Sequence, residues 1–178
     1  MLESGRFFVQ PLDAEGKLLP MPEPGPLVLL DTSVVICSPN APDKSDYPAC
    51  SGRPSFFSVT AMEYDVAIPR KLRLELVEAN RKAVGIPDPG MAKVIYRPRT
   101  DVEVLIEDDG WDSFSTKFPG AVGYIEFSRA VRSDDGRYAL IYEARHCHGA
   151  CFSGGNLHYF VRVGNTWRLA GSAGVWVS

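Results

Sequence analysis

The residues best suited to chemistry are concentrated in one short stretch. All three histidines, His146, His148 and His158, fall within 13 residues, and Cys147 and Cys151 lie among them. Imidazole and thiolate groups at close range are ligands that zinc and copper prefer. In a strand, His146 and His148 share one face and Cys147 points to the other. We therefore take His146 and His148 as candidate metal ligands, although two histidines fall short of the usual three or four protein ligands.

The neighbouring apolar residues predict where the third histidine points. In the first segment the apolar residues are even-numbered, and in the second they are odd-numbered: Leu140, Tyr142 and Ala144, then Leu157, Tyr159, Val161 and Val163. If both apolar faces lie on one side of a sheet, His158 faces away from His146 and His148, unless a bulge shifts the register. The simpler alternative to a metal site is a disulfide-tied hairpin with surface histidines.

The four cysteines form two local pairs, Cys37 with Cys50 and Cys147 with Cys151. This pattern favours two short-loop disulfides, although four cysteines permit three connectivities. Four reduced thiols in a cytosolic protein are the alternative. The first ten residues do not resemble a signal peptide, so an exported protein would be represented here by a mature or trimmed chain.

Sequence motifs for catalysis are missing. The run Gly171-Ser-Ala-Gly174 has the wrong spacing for a nucleophile elbow. The chain contains neither a glycine-rich phosphate loop nor a His-Glu-x-x-His motif. The acidic residues around Trp111 fit a turn followed by a helix start. We therefore predict no catalytic residues and no cofactor.

One segment resembles a nuclease. The run from Leu27 to Ile36, with Asp31 inside it, resembles the first strand of PIN-type nucleases, in which an Asp at the strand end binds metal. The run from Phe56 to Glu63 resembles the next segment of that fold. However, the PIN fold needs a parallel sheet with further carboxylates, whereas the second half of this chain reads as strand-turn-strand. A PIN-like nuclease is the least favoured alternative.

Composition limits the class of protein. The chain has 178 residues, of which 45% are hydrophobic and 23% charged, as in globular domains. Its formal net charge of -3 argues against nucleic-acid binding through bulk charge. The longest apolar run, Leu27 to Leu30, is too short to span a bilayer. We expect neither a nucleic-acid partner nor a membrane span.

The pattern of breakers and periodicity predicts an arm and one domain. Five prolines within residues 1–26 predict an extended arm, and residues 27–178 form a single domain. Helices are predicted at 69–83 and 111–118, with a turn at 108–110. Strands are predicted at 27–37, 93–96, 102–107, 123–131, 138–146, 157–163, 167–170 and 175–177, with turns at 133–136 and 164–165.

These elements predict an α+β fold: a twisted antiparallel meander of five to seven strands, with one longer and one short helix packed against it. Aromatic residues on both faces of the meander include Tyr124, Tyr138, Phe160 and Trp176. An exposed aromatic stripe would form a surface for a partner, and these four residues are our candidates for it.

The ordered landmarks resemble a known family. They are Ile68-Pro69 before a helix that reaches Asn80, Trp111-x-x-Phe114 before Pro119, Ser128-Arg129, Ala139-Leu-x-Tyr142, the Cys147–Cys151 turn and a hairpin reaching Trp167. This pattern resembles a family of uncharacterised bacterial proteins that are often exported, over about residues 66–170. The chain departs from the pattern at His148 and Phe152. The resemblance implies export and no particular activity.

Together these observations predict a non-catalytic bacterial binding protein that acts through protein–protein contact, for example as an inhibitor or a toxin-neutralising protein. The expected location is periplasmic or extracellular, with a cytoplasmic location as the alternative. The second hypothesis is a metal- or thiol-dependent activity at the hairpin from His146 to His158.

Overall fold

The computed structural model describes residues 25–36, 68–147 and 153–177. The described elements, in chain order, are β1 (Leu27–Leu30), α1 (Arg70–Ala79), β2 (Val94–Arg97), α2 (Arg99–Lys117), β3 (Gly123–Phe127), β4 (Val131–Arg132), β5 (Tyr138–Cys147), β6 (Gly154–Val163) and β7 (Thr166–Val177). The predicted α+β class is confirmed. Most of the predicted arm, the loop with Cys37 and Cys50, and the run from Phe56 to Glu63 lie outside the described residues.

The strands form one twisted mixed sheet in the order β2-β1-β3-β5-β6-β7, with β4 paired to β5. Strands β3, β5, β6 and β7 are successive antiparallel neighbours, which confirms the predicted meander. Strand β1, however, is parallel to both β2 and β3. The sequence analysis did not predict these parallel pairs. They arise because the chain passes through α1 between β1 and β2, and through α2 between β2 and β3.

The strand predicted at 102–107 is wrong, because these residues belong to α2. The alternation of Val102, Val104 and Ile106 suggested a period of two. In the structure Val102 is fully buried and Val104 is 54% exposed, which fits the helical period instead. Pro98 lies directly before the first turn of α2, where proline is compatible with a helix. Arg99 forms an ion pair with Glu103 one turn later, which also stabilises the helix.

The turn predicted at 108–110 corresponds to a break in the helical backbone of α2 at Gly110. Gly110 has φ 75° and ψ −175°, so the backbone leaves the helical conformation there. Glycine adopts this conformation at little cost, whereas other residues rarely do. The part of α2 after the break corresponds to the short helix predicted at 111–118. The part of α2 before the break was not predicted to be helical.

Helix α1 is shorter than the predicted 69–83 because Asn80 ends it. The fully buried Asn80 side chain donates to the carbonyl oxygen of Leu76 at 2.8 Å and accepts from the backbone N–H of Arg129 at 2.6 Å. Asn80 therefore ties the end of α1 to the segment after β3. Leu72 and Leu76 are buried, as their helical spacing predicts.

Both helices pack on the same face of the sheet, over two apolar clusters. In the first cluster, Leu72 and Leu76 of α1 pack with Tyr142 and Leu157. In the second, α2 packs on β1 and β3, with buried members Val28, Leu30, Val102, Phe114, Phe118 and Ala121. We call this the helix side of the sheet and the opposite face the outer side. Neither described helix is long and apolar enough to cross a bilayer.

Candidate functional site

Cross-strand pairing shows on which face of the sheet His146 and His158 lie. Tyr142 of β5 lies opposite Leu157 of β6, and both belong to the cluster under α1. His146 therefore lies on the helix side, and His158 lies on the outer side, because cross-strand partners share a face and neighbours along a strand alternate. The prediction that His158 faces away from His146 is confirmed. His148 and Cys151 lie outside the described residues.

On the helix side, His146 is bonded to a buried glutamate. Its Nε2 lies 2.9 Å from Oε1 of Glu126, which is carried by β3 and is almost completely buried. Arg99, the first residue of α2, donates to the other oxygen of Glu126. Arg99 also bonds Oγ1 of Thr32 and Oε1 of Glu103, each at 2.9 Å. This cluster joins the segment that follows β1 with β3, β5 and the start of α2.

Glu126 is held in its charged form. Burial alone would raise the pKa of Glu126, but the hydrogen bond to His146 and the charge and hydrogen bond of Arg99 outweigh burial and leave the pKa below its ordinary value. Burial likewise opposes the charge on Arg99, yet Glu126 and Glu103 raise its pKa. Removing either Glu126 or Arg99 would destabilise the fold, because the remaining partner would be a buried charge without compensation.

His146 is also confined by aromatic rings. Its ring stacks on Tyr124 with centroids 4.7 Å apart and planes inclined by 15°. Tyr124 in turn stacks on Trp111 at 6.1 Å. Tyr124 was a candidate for the partner surface, but its ring stacks on two residues of the same chain, His146 and Trp111. Within residues 25–36, 68–147 and 153–177, no group of three or more His, Cys, Asp or Glu side chains is arranged to hold a metal ion.

On the outer side, a second glutamate–histidine pair continues to a serine. Glu143 of β5 lies 3.0 Å, through Oε2, from Nε2 of His158 on β6. The other ring nitrogen, Nδ1, lies 2.8 Å from Oγ of Ser172 on β7. Arg145 donates to Oε1 of Glu143 at 2.9 Å. Three neighbouring strands thus carry one continuous row of hydrogen-bonded side chains.

Glu143 is also charged. Burial would raise the pKa of Glu143, but the hydrogen bond and charge of His158 and the nearby Arg145 outweigh it, so the pKa lies below the ordinary value. An ionised carboxylate only accepts hydrogen bonds. The two oxygens of Glu143 are therefore both occupied by donors, Arg145 on one and His158 on the other.

Two bulges flank Ser172 on β7. The register of β6 and β7 shifts between Tyr159 and Phe160 and again between Gly155 and Asn156. The extra residues on β7 are Ala170 and Val175, since neither has a partner in the ladder. Bulges twist an edge strand and redirect its side chains. The predicted segments 167–170 and 175–177 belong to one continuous strand, β7.

Farther along the outer side, the β6–β7 hairpin carries an aromatic and basic surface. Phe160 lies opposite Leu169, and Arg162 lies opposite Trp167. The guanidinium of Arg132 sits 5.6 Å from the centroid of the Trp167 ring. Leu169 is 44% exposed. We call Arg132, Phe160, Trp167 and Leu169 the hairpin surface; it contains one of the predicted partner residues, Phe160.

The other two partner candidates lie elsewhere. Tyr138 stacks on Tyr159 with centroids 5.5 Å apart, on the helix side. Trp176 lies on β7 opposite Gly155. Whether Tyr124, Tyr138 or Trp176 contacts a partner stays a prediction.

Cys147 ends β5 beside Gly123. A Cβ atom at Gly123 would overlap the carbonyl oxygen of His146, so glycine allows β3 and β5 to approach there. The backbone N–H of Cys147 donates to Oγ of Ser153 at 3.1 Å. Among the described residues there is no free cysteine. Cys151, the predicted partner of Cys147, lies outside the described residues, so the Cys147–Cys151 disulfide stays a prediction.

Asp31, the residue that suggested a PIN-type nuclease, directly follows β1 and bonds to the start of α2. Its Oδ1 accepts the backbone N–H of Arg99 at 2.9 Å, so Asp31 connects the end of β1 to the start of α2. The PIN-like alternative remains an untested prediction, because the run from Phe56 to Glu63 lies outside the described residues.

Arg99, Glu126 and Glu143 were not predicted as site residues, and Ser172 was set aside because its run lacks the spacing of a nucleophile elbow. The available signal was a glutamate inside each of two apolar strands, Gly123-Tyr-Ile-Glu126-Phe and Leu140-Ile-Tyr-Glu143-Ala. A charged residue in such a strand needs a charged or hydrogen-bonded partner. The partner itself was not readable, because it depends on which strands are neighbours.

Comparison of the chain with models of known protein families, with curated proteins and with solved structures finds no match. The resemblance to exported bacterial proteins therefore remains a prediction that rests on the sequence landmarks.

Proposed function

We propose that this protein binds another protein through the hairpin surface. The observation that carries the proposal is the grouping of Trp167, Phe160, Leu169 and Arg132 on the outer side of the sheet, where neither described helix packs. Tryptophan, arginine and other large side chains dominate the binding energy of protein interfaces, and they act from the centre of the contact.

Solvent exposure supports the same conclusion. Single exposed apolar residues are common on protein surfaces and need no explanation. Here, however, Leu169 lies opposite Phe160 on β6 and two residues from Trp167 on β7, so the three side chains are neighbours on one face. The guanidinium of Arg132 over the Trp167 ring holds that ring in place, which lowers the entropy lost when a partner binds.

A protein fits this surface better than a nucleic acid does. Nucleic-acid affinity depends largely on lysine and arginine contacts to phosphates. The chain has 19 basic and 22 acidic residues. The hairpin surface offers apolar area, with Arg132 over the Trp167 ring and Arg162 across from it, so the expected partner presents apolar side chains and acidic groups.

The proposal extends to the compartment. Two disulfides, Cys37–Cys50 and Cys147–Cys151, would suit a periplasmic or extracellular protein. An inhibitory or toxin-neutralising role is one concrete version, in which the hairpin surface covers a functional site of the partner. The cysteine pattern and the sequence landmarks support this version.

Partner capture with matched variants tests the proposal. Immobilised wild-type protein, Leu169→Asp and Trp167→Ala are incubated with extract from the source cells, and bound proteins are quantified by mass spectrometry after cross-linking. The control is Val104→Asp, since Val104 is exposed on α2, away from the hairpin surface. We expect one protein to be enriched about tenfold or more by wild type and control, to cross-link to the hairpin, and to be lost with both hairpin variants. Equal enrichment by all four proteins, or none, would refute the proposal.

The metal alternative has a separate test. Elemental analysis of purified protein that finds one equivalent of zinc, lost in His148→Ala, would favour a metal site at the 146–158 hairpin over partner binding.

A further inference from the structure

The row formed by Glu143, His158 and Ser172 is not used by the hairpin surface. Its two hydrogen bonds are 3.0 Å and 2.8 Å long and engage the two different nitrogens of one imidazole ring. In serine hydrolases with a catalytic triad, a base is bonded to the hydroxyl and a third group orients the base. The row has this order of groups, with Nδ1 of His158 facing the serine and Nε2 facing the carboxylate. The arrangement was invisible in the sequence, where the three residues are separated by 15 and 14 positions.

The charges of the neighbouring groups determine where the protons lie. Glu143 is ionised and its Oε1 already accepts from Arg145. Its Oε2 therefore accepts from the Nε2–H of His158, and in the neutral imidazole with this tautomer the lone pair is on Nδ1. The Ser172 hydroxyl then donates to Nδ1, so His158 is placed to remove that proton when the serine oxygen attacks.

The position of Ser172 allows a substrate to reach it. Ser172 is partly exposed, whereas the His158 side chain is only 14% exposed. In the part of the sheet that the structure describes, β7 is the last strand, so its far edge presents backbone N–H groups. Donors of this kind stabilise the oxyanion in acyl transfer. Phe160 and Leu169 lie on the same face in the next row and offer apolar area to an acyl chain.

We propose that Ser172 is a nucleophile that reacts with carboxylic esters bearing an apolar acyl group, an activity beyond the proposed partner binding. The Ser172 oxygen bonds to the ester carbonyl carbon while its proton passes to Nδ1 of His158. The bond from this carbon to the alkoxy oxygen then breaks, and the alcohol leaves with that proton. Water, deprotonated by His158, attacks the acyl-serine, which releases the carboxylic acid and restores Ser172. Glu143 is a positioning residue for His158.

Labelling and hydrolysis test the proposal. Purified wild-type protein is treated with a fluorophosphonate probe, and the modified residue is identified by peptide mass spectrometry, which requires no variant. We expect one probe per chain on Ser172, and hydrolysis of p-nitrophenyl butyrate with an initial burst. Ser172→Ala and His158→Ala should lower the hydrolysis rate by about 100-fold or more. Ser115→Ala is the control, since Ser115 is exposed on α2 and outside the row.

The positioning role of Glu143 predicts a separate signature. Glu143→Gln should lower kcat with little change in KM, because it alters the orientation of His158 and leaves the apolar substrate contacts in place. Circular dichroism confirms that each variant is folded. Absence of probe on Ser172 together with hydrolysis equal to that of Ser172→Ala would overturn the proposal. That result would leave partner binding unaffected, since capture by Leu169 and Trp167 variants measures it independently.

Discussion

At the scale of single residues, the two buried glutamates are the most informative feature. Glu126 and Glu143 lie on opposite faces of the sheet, and each accepts from one histidine and one arginine. Burying a carboxylate costs several kcal/mol unless charged donors compensate it, on the order of what a small domain can lose before unfolding. Each glutamate therefore fixes the position of its histidine, and only the outer one also reaches a serine.

Replacing Glu126 by Gln should reduce stability and change its pH dependence. The pKa of Glu126 in the folded protein lies below its ordinary value of 4.5. Its contribution is therefore complete above about that pH and is lost as the pH falls through the folded pKa. We expect Glu126→Gln to lower the free energy of unfolding by roughly 2 kcal/mol near neutral pH.

Urea unfolding at neutral and acidic pH measures both effects. The control is Glu107→Gln, because Glu107 is exposed on α2. On acidification below about pH 4.5, wild type should lose more stability than Glu126→Gln does. Parallel pH profiles for the two proteins would contradict the role assigned to this carboxylate.

The turn at 133–136 offers a prediction for one exposed carboxylate. Hydrogen bonds from the Ser133 hydroxyl, from the backbone N–H of Arg137 and from its side chain lower the pKa of Asp135 to about 2. NMR titration should find this value in wild type. In Ser133→Ala the pKa should move up towards the ordinary 3.8, because the strongest of these bonds is lost. An unchanged titration curve in the variant would show that Ser133 is not the main cause.

At the scale of elements, the sequence predicted the meander and failed on α2. The turns with Gly136 and Gly164, both at positive φ, are where the residue types predicted them. The segment 102–107 was misread because valine favours strands and recurs there at period two. The exposure of Val102 and Val104 distinguishes helix from strand. In a helix the two side chains point about 200° apart, so one can be buried and the other exposed, whereas in a strand they share a face.

Matched alanine variants test the helical assignment of this segment. Val102→Ala should lower the free energy of unfolding by about 2 kcal/mol, because it removes two methyl groups from the core under α2. Val104→Ala should change it by less than about 0.5 kcal/mol, because that side chain is exposed. Thermal or urea unfolding gives both values, and equal losses would support the strand instead.

At the scale of the whole molecule, two different halves share one sheet. Strands β2, β1 and β3 are parallel neighbours linked through helices, whereas β3, β5, β6 and β7 are joined as an antiparallel meander. Strand β3 belongs to both halves, because it pairs with β1 on one side and with β5 on the other. The helices leave the outer side to the hairpin surface and the Ser172 row.

The export hypothesis applies to the whole chain and is tested by its thiols. Protein unfolded without reductant should show no reactive thiol, and reduction should reveal all four. Each bridge would restrict the unfolded chain, and the chain-entropy relation gives about 3 kcal/mol for the Cys37–Cys50 loop and about 2 kcal/mol for the shorter Cys147–Cys151 loop. Any reactive thiol before reduction contradicts the two-bridge version, and four reactive thiols would remove the argument for export.

Features that depend on near neighbours could be read from the amino-acid sequence: the α+β class, the antiparallel hairpins with their turns, and the register that separates His146 from His158. Local backbone preference and alternation of apolar residues are enough for these. The parallel pairing of β1, the helical state of residues 102–107 and the contacts of Glu126, Glu143 and Ser172 became visible with the folded chain. Those depend on which distant segments become adjacent, and burial of apolar area across the whole chain selects that arrangement.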